Sequence, residues 1–267
     1  MVRGVGIGLR RELMEPLLTT SRRVDWLELI TENFAGLTGK PAVMLERFRS
    51  RWPLIPHGVG LSVGSAPPRG YLETLTGFIA KVDPPWFSDH LCFSSLGDRT
   101  WFDLLPLPRH DETVARVAAH VKTAQDATGR PLLLENITTY AEVPGSEYDE
   151  AAFLRGVVAS SGAGLLLDLN NLYVNAVNHG LQPEALLEAF PVEHVRQLHL
   201  AGFSKDRGLL LDTHSTPVAK PVWQLYERTL KRCGPVPTLI EWDQHIPSLD
   251  AVLDEADTAR ALMDRFA

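Results

Sequence analysis

The chain has 267 residues, with 26 Lys and Arg against 33 Asp and Glu for a formal charge of −7, and 45% of it is hydrophobic. That is a soluble globular composition, long enough to bury a full core as one large unit. The acidic balance argues against a sequence-independent nucleic-acid binder, which would need Lys and Arg gathered on one face to release counterions from phosphates.

Two cysteines, Cys92 and Cys233, are too few for a disulfide framework and do not form a Cys-x-x-Cys pair, so a reducing cytoplasm is the expected home. The opening MVRGVGIGLRRELMEPLL lacks the apolar core of a signal peptide, and no apolar run reaches the roughly 18 residues of a membrane span. Neither secretion nor a membrane association is expected. Glycines and prolines are spread as punctuation with no linker or low-complexity run, so residues 1–267 read as one domain.

In chain order, eight short apolar runs each stop at a polar residue, followed by a loop and helical periodicity. The first is Val5–Gly8; the second, Trp26–Ile30, runs into Thr31-Glu32-Asn33; the third, Leu54–Pro56, ends at His57. The fourth is Trp86–His90. The fifth, Pro131–Leu134, ends at Glu135, and the sixth, Gly164–Leu167, ends at Asp168. The seventh is Val195–His199 and the eighth, Pro237–Ile240, ends at Glu241. Between them, Val114, Val117, Ala118 and Val121 within 111–128, and Phe153, Leu154 and Val157 within 148–160, recur at helical spacing. Strands that are apolar throughout rather than alternating are buried on both faces, as in a parallel sheet. Eight strand–helix units of that kind predict an α/β fold, a single closed (β/α)8 TIM barrel.

In such a barrel the C-terminal strand ends converge on one face, so His57, His90, Glu135, Asp168, His199 and Glu241 become neighbours, with Asp212 and His214 a short loop beyond the seventh strand. Crowded carboxylates and partly desolvated imidazoles repel or titrate unless a cation compensates them, which points to a multimetal site. Nitrogen and oxygen donors without thiolate suit zinc, iron or manganese. Glu135, in the middle of the ring, is the candidate to bridge two ions. Asp89 and Asn136, beside two ring members, are candidates to orient ligands.

Gly4-x-Gly6-x-Gly8 has its third glycine one residue too early for a dinucleotide fingerprint and lacks the following acid, so it reads as a close-packed first strand and no nicotinamide or flavin is expected. Residues 58–65, rich in Gly and Ser, read as an anion cradle or as a flexible loop over the mouth. His110, His120, His194 and His245 fall off the strand ends; His179 is ambiguous; Cys92 reads as packing.

The segments His57–Ser62, Ser88–Leu91, Leu134–Asn136, Leu166–Asn171, Leu198–Gly202, Asp212–His214 and Ile240–Asp243 together resemble the multinuclear non-heme iron-dependent oxidative enzymes, a family long known only as a domain of unknown function. The resemblance runs from about Gly4 to Leu253. It implies a TIM barrel of the xylose isomerase-like group that carries two or three irons in mixed Fe(II)/Fe(III) states. Such enzymes act with O2 as cosubstrate on cysteines of ribosomally made precursor peptides. By position, His57 and His90 would bind a first metal, Glu135 would bridge, Asp168, His199 and Glu241 would hold a second, and Asp212 and His214 a third. Glu135, His57, His90 and Asp168 are then the expected catalytic set.

The ring is also similar to that of trinuclear-zinc apurinic endonucleases, but the position three after the sixth-strand Asp, a histidine there, is Asn171 here. A neutral oxygen donor implies a looser third site. Such a family also implies a small partner protein that recruits the cysteine-containing peptide, for which this chain has no spare domain. Two rivals share the same ring: a zinc or manganese hydrolase or isomerase acting on a phosphate or sugar, and a metal-bound scaffold without catalysis.

Overall fold

The structure is a computed structural model that describes residues 2–96 and 99–267. Eight parallel strands close into a barrel: β1 (Val5–Gly8), β2 (Leu27–Ile30), β3 (Leu54–Gly58), β4 (Phe87–His90), β5 (Leu132–Glu135), β6 (Gly164–Asp168), β7 (Val195–Leu200) and β8 (Thr238–Ile240). Each pairs with its sequence neighbours and β1 closes on β8. Each strand falls in one of the eight apolar runs; β3 and β7 extend one residue past theirs.

The principal helix after each strand is α1 (Met14–Thr19), α2 (Gly39–Arg49), α3 (Tyr71–Val82), α4 (Asp111–Thr128), α5 (Glu150–Ser161), α6 (Leu169–Asn178), α7 (Lys220–Cys233) and α8 (Leu249–Asp264). Their ends follow ordinary capping chemistry. Asp149 accepts a bond from the Ala152 amide at 2.7 Å to start α5, and Gly162, at φ +70°, ends it in the left-handed region that glycine enters without strain. Two antiparallel strand pairs elaborate the mouth: 93–96 with 99–105 between β4 and α4, and 204–206 with 209–211 between β7 and α7.

The barrel interior is layered. At its base Val2, Trp26, Ile55 and Leu239 form an apolar plug separate from the main core that lies between strands and helices. Gly6 is there because a Cβ would meet the Trp26 indole at 2.4 Å. The first strand is thus close-packed, as its glycines suggest. Above the plug a polar chain crosses the barrel: Trp86 Nε1 donates to Gln197 Oε1 (2.7 Å), and Gln197 Nε2 donates to Glu28 Oε2 (2.6 Å). The strand ends form the next layer.

Candidate metal centre

Strand register brings the polar ends together: His90 pairs with Glu135 across β4 and β5, and Asp168 with His199 across β6 and β7. His57 Nε2 and His90 Nε2 both lie 3.3 Å from Glu135 Oε2. On the other oxygen, His199 Nδ1 lies 3.3 Å from Glu135 Oε1 and 2.9 Å from Glu241 Oε2. One carboxylate therefore stands between two donor groups, His57–His90 on one side and Asp168–His199–Glu241 on the other, each compact enough to hold one ion.

Every imidazole in this layer is fixed through its other nitrogen. His90 Nδ1 is 3.1 Å from the Gly58 carbonyl, which only accepts, so Nδ1 donates there and Nε2 is the nitrogen turned to Glu135. His57 Nδ1 bonds Ser88 Oγ at 2.8 Å, His199 Nε2 reaches Glu28 Oε2 at 3.1 Å, and His214 Nδ1 reaches Asp243 Oδ2 at 2.9 Å. Holding one ring nitrogen by a hydrogen bond while leaving the other free is how proteins orient metal-binding histidines.

Glu135 Oε2, Asp168 Oδ2, Glu241 Oε2, Asn170 Oδ1 and Asn171 Oδ1 are buried oxygens with no N–H or O–H donor placed on them, and the ring nitrogens His199 Nδ1 and His214 Nε2 meet only carboxylates, at 2.9 Å from Glu241 and 2.6 Å from Asp212. Five acceptor oxygens and two imidazoles gathered in one buried layer fit a site compensated by cations, because buried polar atoms are otherwise paired.

The titration of the ring agrees. Burial takes His57 well below the ordinary histidine value, and His90 and His199 push it further. Burial opposes a charge on His199 and His214 too, yet Glu28, Glu241 and Glu135 around the first, and Asp212 and Glu241 around the second, raise both well above that value. Burial also lifts Asp168 and Glu28 above the usual carboxylate range. The ring is short of positive charge and draws in protons to supply it.

A third group forms around His214, whose backbone sits at φ +44°. That conformation is strained for a residue with a Cβ, a cost sustained here at the barrel mouth. His214 Nε2 is 2.6 Å from Asp212 Oδ1 and 3.9 Å from Asp168 Oδ2. Asp168 serves twice: its Oδ1 caps α6 by accepting from the Asn171 amide (2.7 Å), which leaves Oδ2 for the ring. Asn171 Nδ2 donates to the Asn136 carbonyl (3.0 Å), turning its free oxygen inward, and Asn170 Nδ2 donates to Asp212 Oδ1 (2.8 Å).

Several contributors went unread in the sequence. Glu28 lies in the middle of an apolar strand, a signal of its own, since a carboxylate there is rare without a partner. Arg10 Nη2 bonds Asp243 Oδ1 (2.7 Å) and approaches Glu241 Oε1 (3.5 Å), setting a cation beside the ring. Asp243, which Arg10 and His214 share, also forms a compact group with His214 and Glu241.

Asn136 bonds the Asp168 backbone through both ends of its amide (2.9 and 3.0 Å) and so fixes the end of β6. Asp89 instead accepts from the Leu61 and His90 amides (3.1 and 2.8 Å). The loop at 58–65 is neither an anion cradle nor loose. Glu32 takes the Val59 and Gly60 amides (3.1 and 2.9 Å), and the Ser62 hydroxyl accepts from Ser94 and Ser95 (2.9 and 3.1 Å). The amides that would bind an anion are already spent on the protein's own acids. His179 ends α6 with Nε2 on the Thr139 carbonyl at 2.7 Å, away from the ring.

A parallel eight-stranded barrel whose mouth gathers imidazoles and carboxylates compact enough to hold metal ions is a TIM barrel with a candidate metal centre. More narrowly, the chain belongs to the family described as RiPP precursor modification enzyme MbnB/TglH/ChrH, whose sequence pattern matches residues 4–264. RiPPs are ribosomally synthesised and post-translationally modified peptides.

The UPF0276 protein of Caulobacter vibrioides is 46% identical over 261 residues, covering 97% of this chain and 93% of that one. That of Chromobacterium violaceum is 44% identical over 260 residues, covering 97% and 94%. Among solved structures, a D-tagatose 3-epimerase-like protein superposes with TM-score 0.61 at 13% identity over 98% of each chain. D-allulose 3-epimerase from Methylomonas sp. gives 0.60 at 12% over 100% of this chain and 97% of its own. These structural likenesses show the TIM-barrel fold. Among the described residues no helix is long and apolar enough to cross a membrane.

Proposed function

We propose that this protein is a multinuclear iron enzyme that uses dioxygen to oxidise a cysteine residue of a ribosomally made precursor peptide. The observation that carries this reading is Glu135 set between two donor groups, with His57 and His90 on one oxygen and His199 on the other. His57, His90 and Glu135 hold one iron; Glu135, Asp168, His199 and Glu241 hold a second. Asp212, His214 and the Asn171 oxygen hold a third, more exchangeable one. When bound, the irons supply positions where a thiol ionises and dioxygen is reduced.

The chain's own part is to keep that chemistry oriented. Ser88, the Gly58 carbonyl, Glu28 and Asp243 fix the four imidazoles so that each offers one nitrogen. The donors are nitrogen and oxygen, so a sulfur ligand comes with the substrate. Cys92 is buried packing, and burial raises its thiol well above the ordinary value, so it stays protonated. A small partner protein presents the peptide, and the reaction belongs in the cytoplasm, where Cys92 and Cys233 stay reduced.

The test is elemental analysis with Mössbauer spectroscopy on protein purified without oxygen, followed by dioxygen uptake and peptide mass with a cysteine-containing precursor. Two to three irons per chain, oxygen consumption and a changed peptide mass support the reading. Stoichiometric zinc or manganese with no oxygen uptake moves it to a hydrolase or isomerase acting on a phosphate or sugar. A bound peptide of unchanged mass makes it a scaffold.

A further inference from the structure

We propose that an apolar groove beside the barrel mouth is a docking site for the substrate peptide itself, taking a segment with large apolar side chains set among acidic residues. This rests on the peptide-modifying reading above and adds where the barrel grips its substrate. The groove, about 570 Å³, runs between the β1–α1 turn and α2. Met14, Phe34, Leu37, Met44 and Leu45 form its walls, and Arg10, Arg11 and Lys40 stand on its rim.

Two observations assign the occupant. The first is charge: the protein carries a net −7, yet the ionisable residues lining this groove are all basic. An acidic segment is therefore drawn to it against the overall repulsion. Two of the chain's four methionines line it, and methionine adapts its shape to varied apolar partners.

The second is Arg10, at the inner end of the groove, whose side chain is 10% exposed. Its Nε donates to the Trp242 carbonyl (2.9 Å) and its Nη2 to Asp243 (2.7 Å), but its buried Nη1 has no partner. Gly8 leaves room for that nitrogen, since a Cβ there would lie 2.9 Å from it. Arg10 thus lines the groove and at the same time bonds Asp243 and approaches Glu241, so the inner end of the groove adjoins the ring and a segment seated there lies next to it.

The test uses the full-length protein and fluorescence anisotropy of two labelled short peptides: one of Leu and Phe interspersed with Asp and Glu, the other with Lys in place of the acids. The acidic probe binds, more weakly at high salt, and the basic probe binds at least about 10-fold more weakly. The Arg11→Glu/Lys40→Glu double variant, and separately Met44→Trp, which fills the groove, weaken the acidic probe by about 10-fold or more. Unchanged circular dichroism shows that both variants fold.

Equal affinity for the two probes, or unchanged affinity in either variant, overturns the proposal. So does a result in which these variants lose the small partner protein while still binding the acidic probe, because the occupant is then that protein. Binding is read without turnover. Absence of iron or oxygen uptake would therefore defeat the enzymatic reading and leave this measurement standing.

Discussion

Glu135→Gln isolates the shared carboxylate. The substitution keeps the shape but removes a charge that faces His57, His90 and His199 at 3.3 Å each. With metals bound, each flanking ion loses an anionic ligand in a buried setting. Breaking one partner of a buried charged pair costs about 3–5 kcal/mol, so affinity for each of the two ions falls about 10²- to 10⁴-fold. Without metals the sign reverses. Glu28, Glu135, Asp168, Asp212, Glu241 and Asp243 face only Arg10 and the proton-bearing His199 and His214, and removing one carboxylate relieves that crowding.

The new amide also gives the bare nitrogens of His57 or His90 a donor, a gain of about 1 kcal/mol, or about 2–4 °C in melting temperature for a chain this long. The assay is metal content after exposure to a chelator, paired with melting curves of stripped and loaded protein. The variant is expected to lose two ions, to keep any ion held by Asp212, His214 and Asn171, and to melt higher than wild type when stripped. Full metal retention with full activity would refute the shared-ligand arrangement. A lower melting point in the stripped variant would refute the claim that the ring is electrostatically strained.

Metal-free protein should lose stability as pH rises above the ordinary histidine range: His199 and His214 hold protons above their ordinary value, and the stability from that proton binding disappears as pH climbs through the raised value. His57, shifted the other way, is neutral in both states across that window, so the melting temperature should fall with pH and metal binding should release protons. Glu28→Gln removes the anion behind His199 and should weaken metal binding about 10- to 100-fold while the fold persists, read by chelator competition; unchanged retention would show that the His199 ring needs no such support. Asn171→His replaces a neutral oxygen with a stronger donor and should add one ion that survives the chelator; identical stoichiometry would place the third ion elsewhere.

The barrel was legible because doubly buried parallel strands read as unbroken apolar runs. The ring was legible because the fold makes strand ends neighbours whatever their separation in sequence. What escaped depends on register or on side-chain reach. Glu28 and His199 are 171 residues apart and meet because both point into the barrel at adjacent levels. Arg10 lies past the end of β1 and reaches Asp243 by the length of its own side chain. Leu209–Leu211, ending at Asp212, is an apolar run like Gly164–Leu167 before Asp168, but it follows β7 with no helical stretch between, so it falls outside the strand–helix period and pairs with 204–206 instead. The glycines at 58–65 suggested freedom or anion binding, but Gly58 is there because a Cβ would meet Asp89 Oδ2 at 2.3 Å. The same composition serves a free loop and a tightly packed one, and only the neighbours distinguish them.

The layers of the barrel explain how a fold tolerates so many buried acids. The Trp26 plug and the apolar shell outside the strands stabilise the barrel without any contribution from the mouth. The Trp86–Gln197–Glu28 chain then gives the Trp86 N–H, the Gln197 amide and Glu28 Oε2 partners beneath the ring, and leaves Glu28 Oε1 without one. Unsatisfied atoms are concentrated in the top layer, where an ion can reach them. Any ion that binds there stabilises the folded state by RT ln(1 + [L]/Kd), about 4 kcal/mol at a thousandfold excess over Kd. The same arrangement that makes the stripped ring electrostatically costly makes the loaded protein resistant to unfolding. Melting temperature should therefore follow metal occupancy more closely than it follows substitutions in the apolar plug.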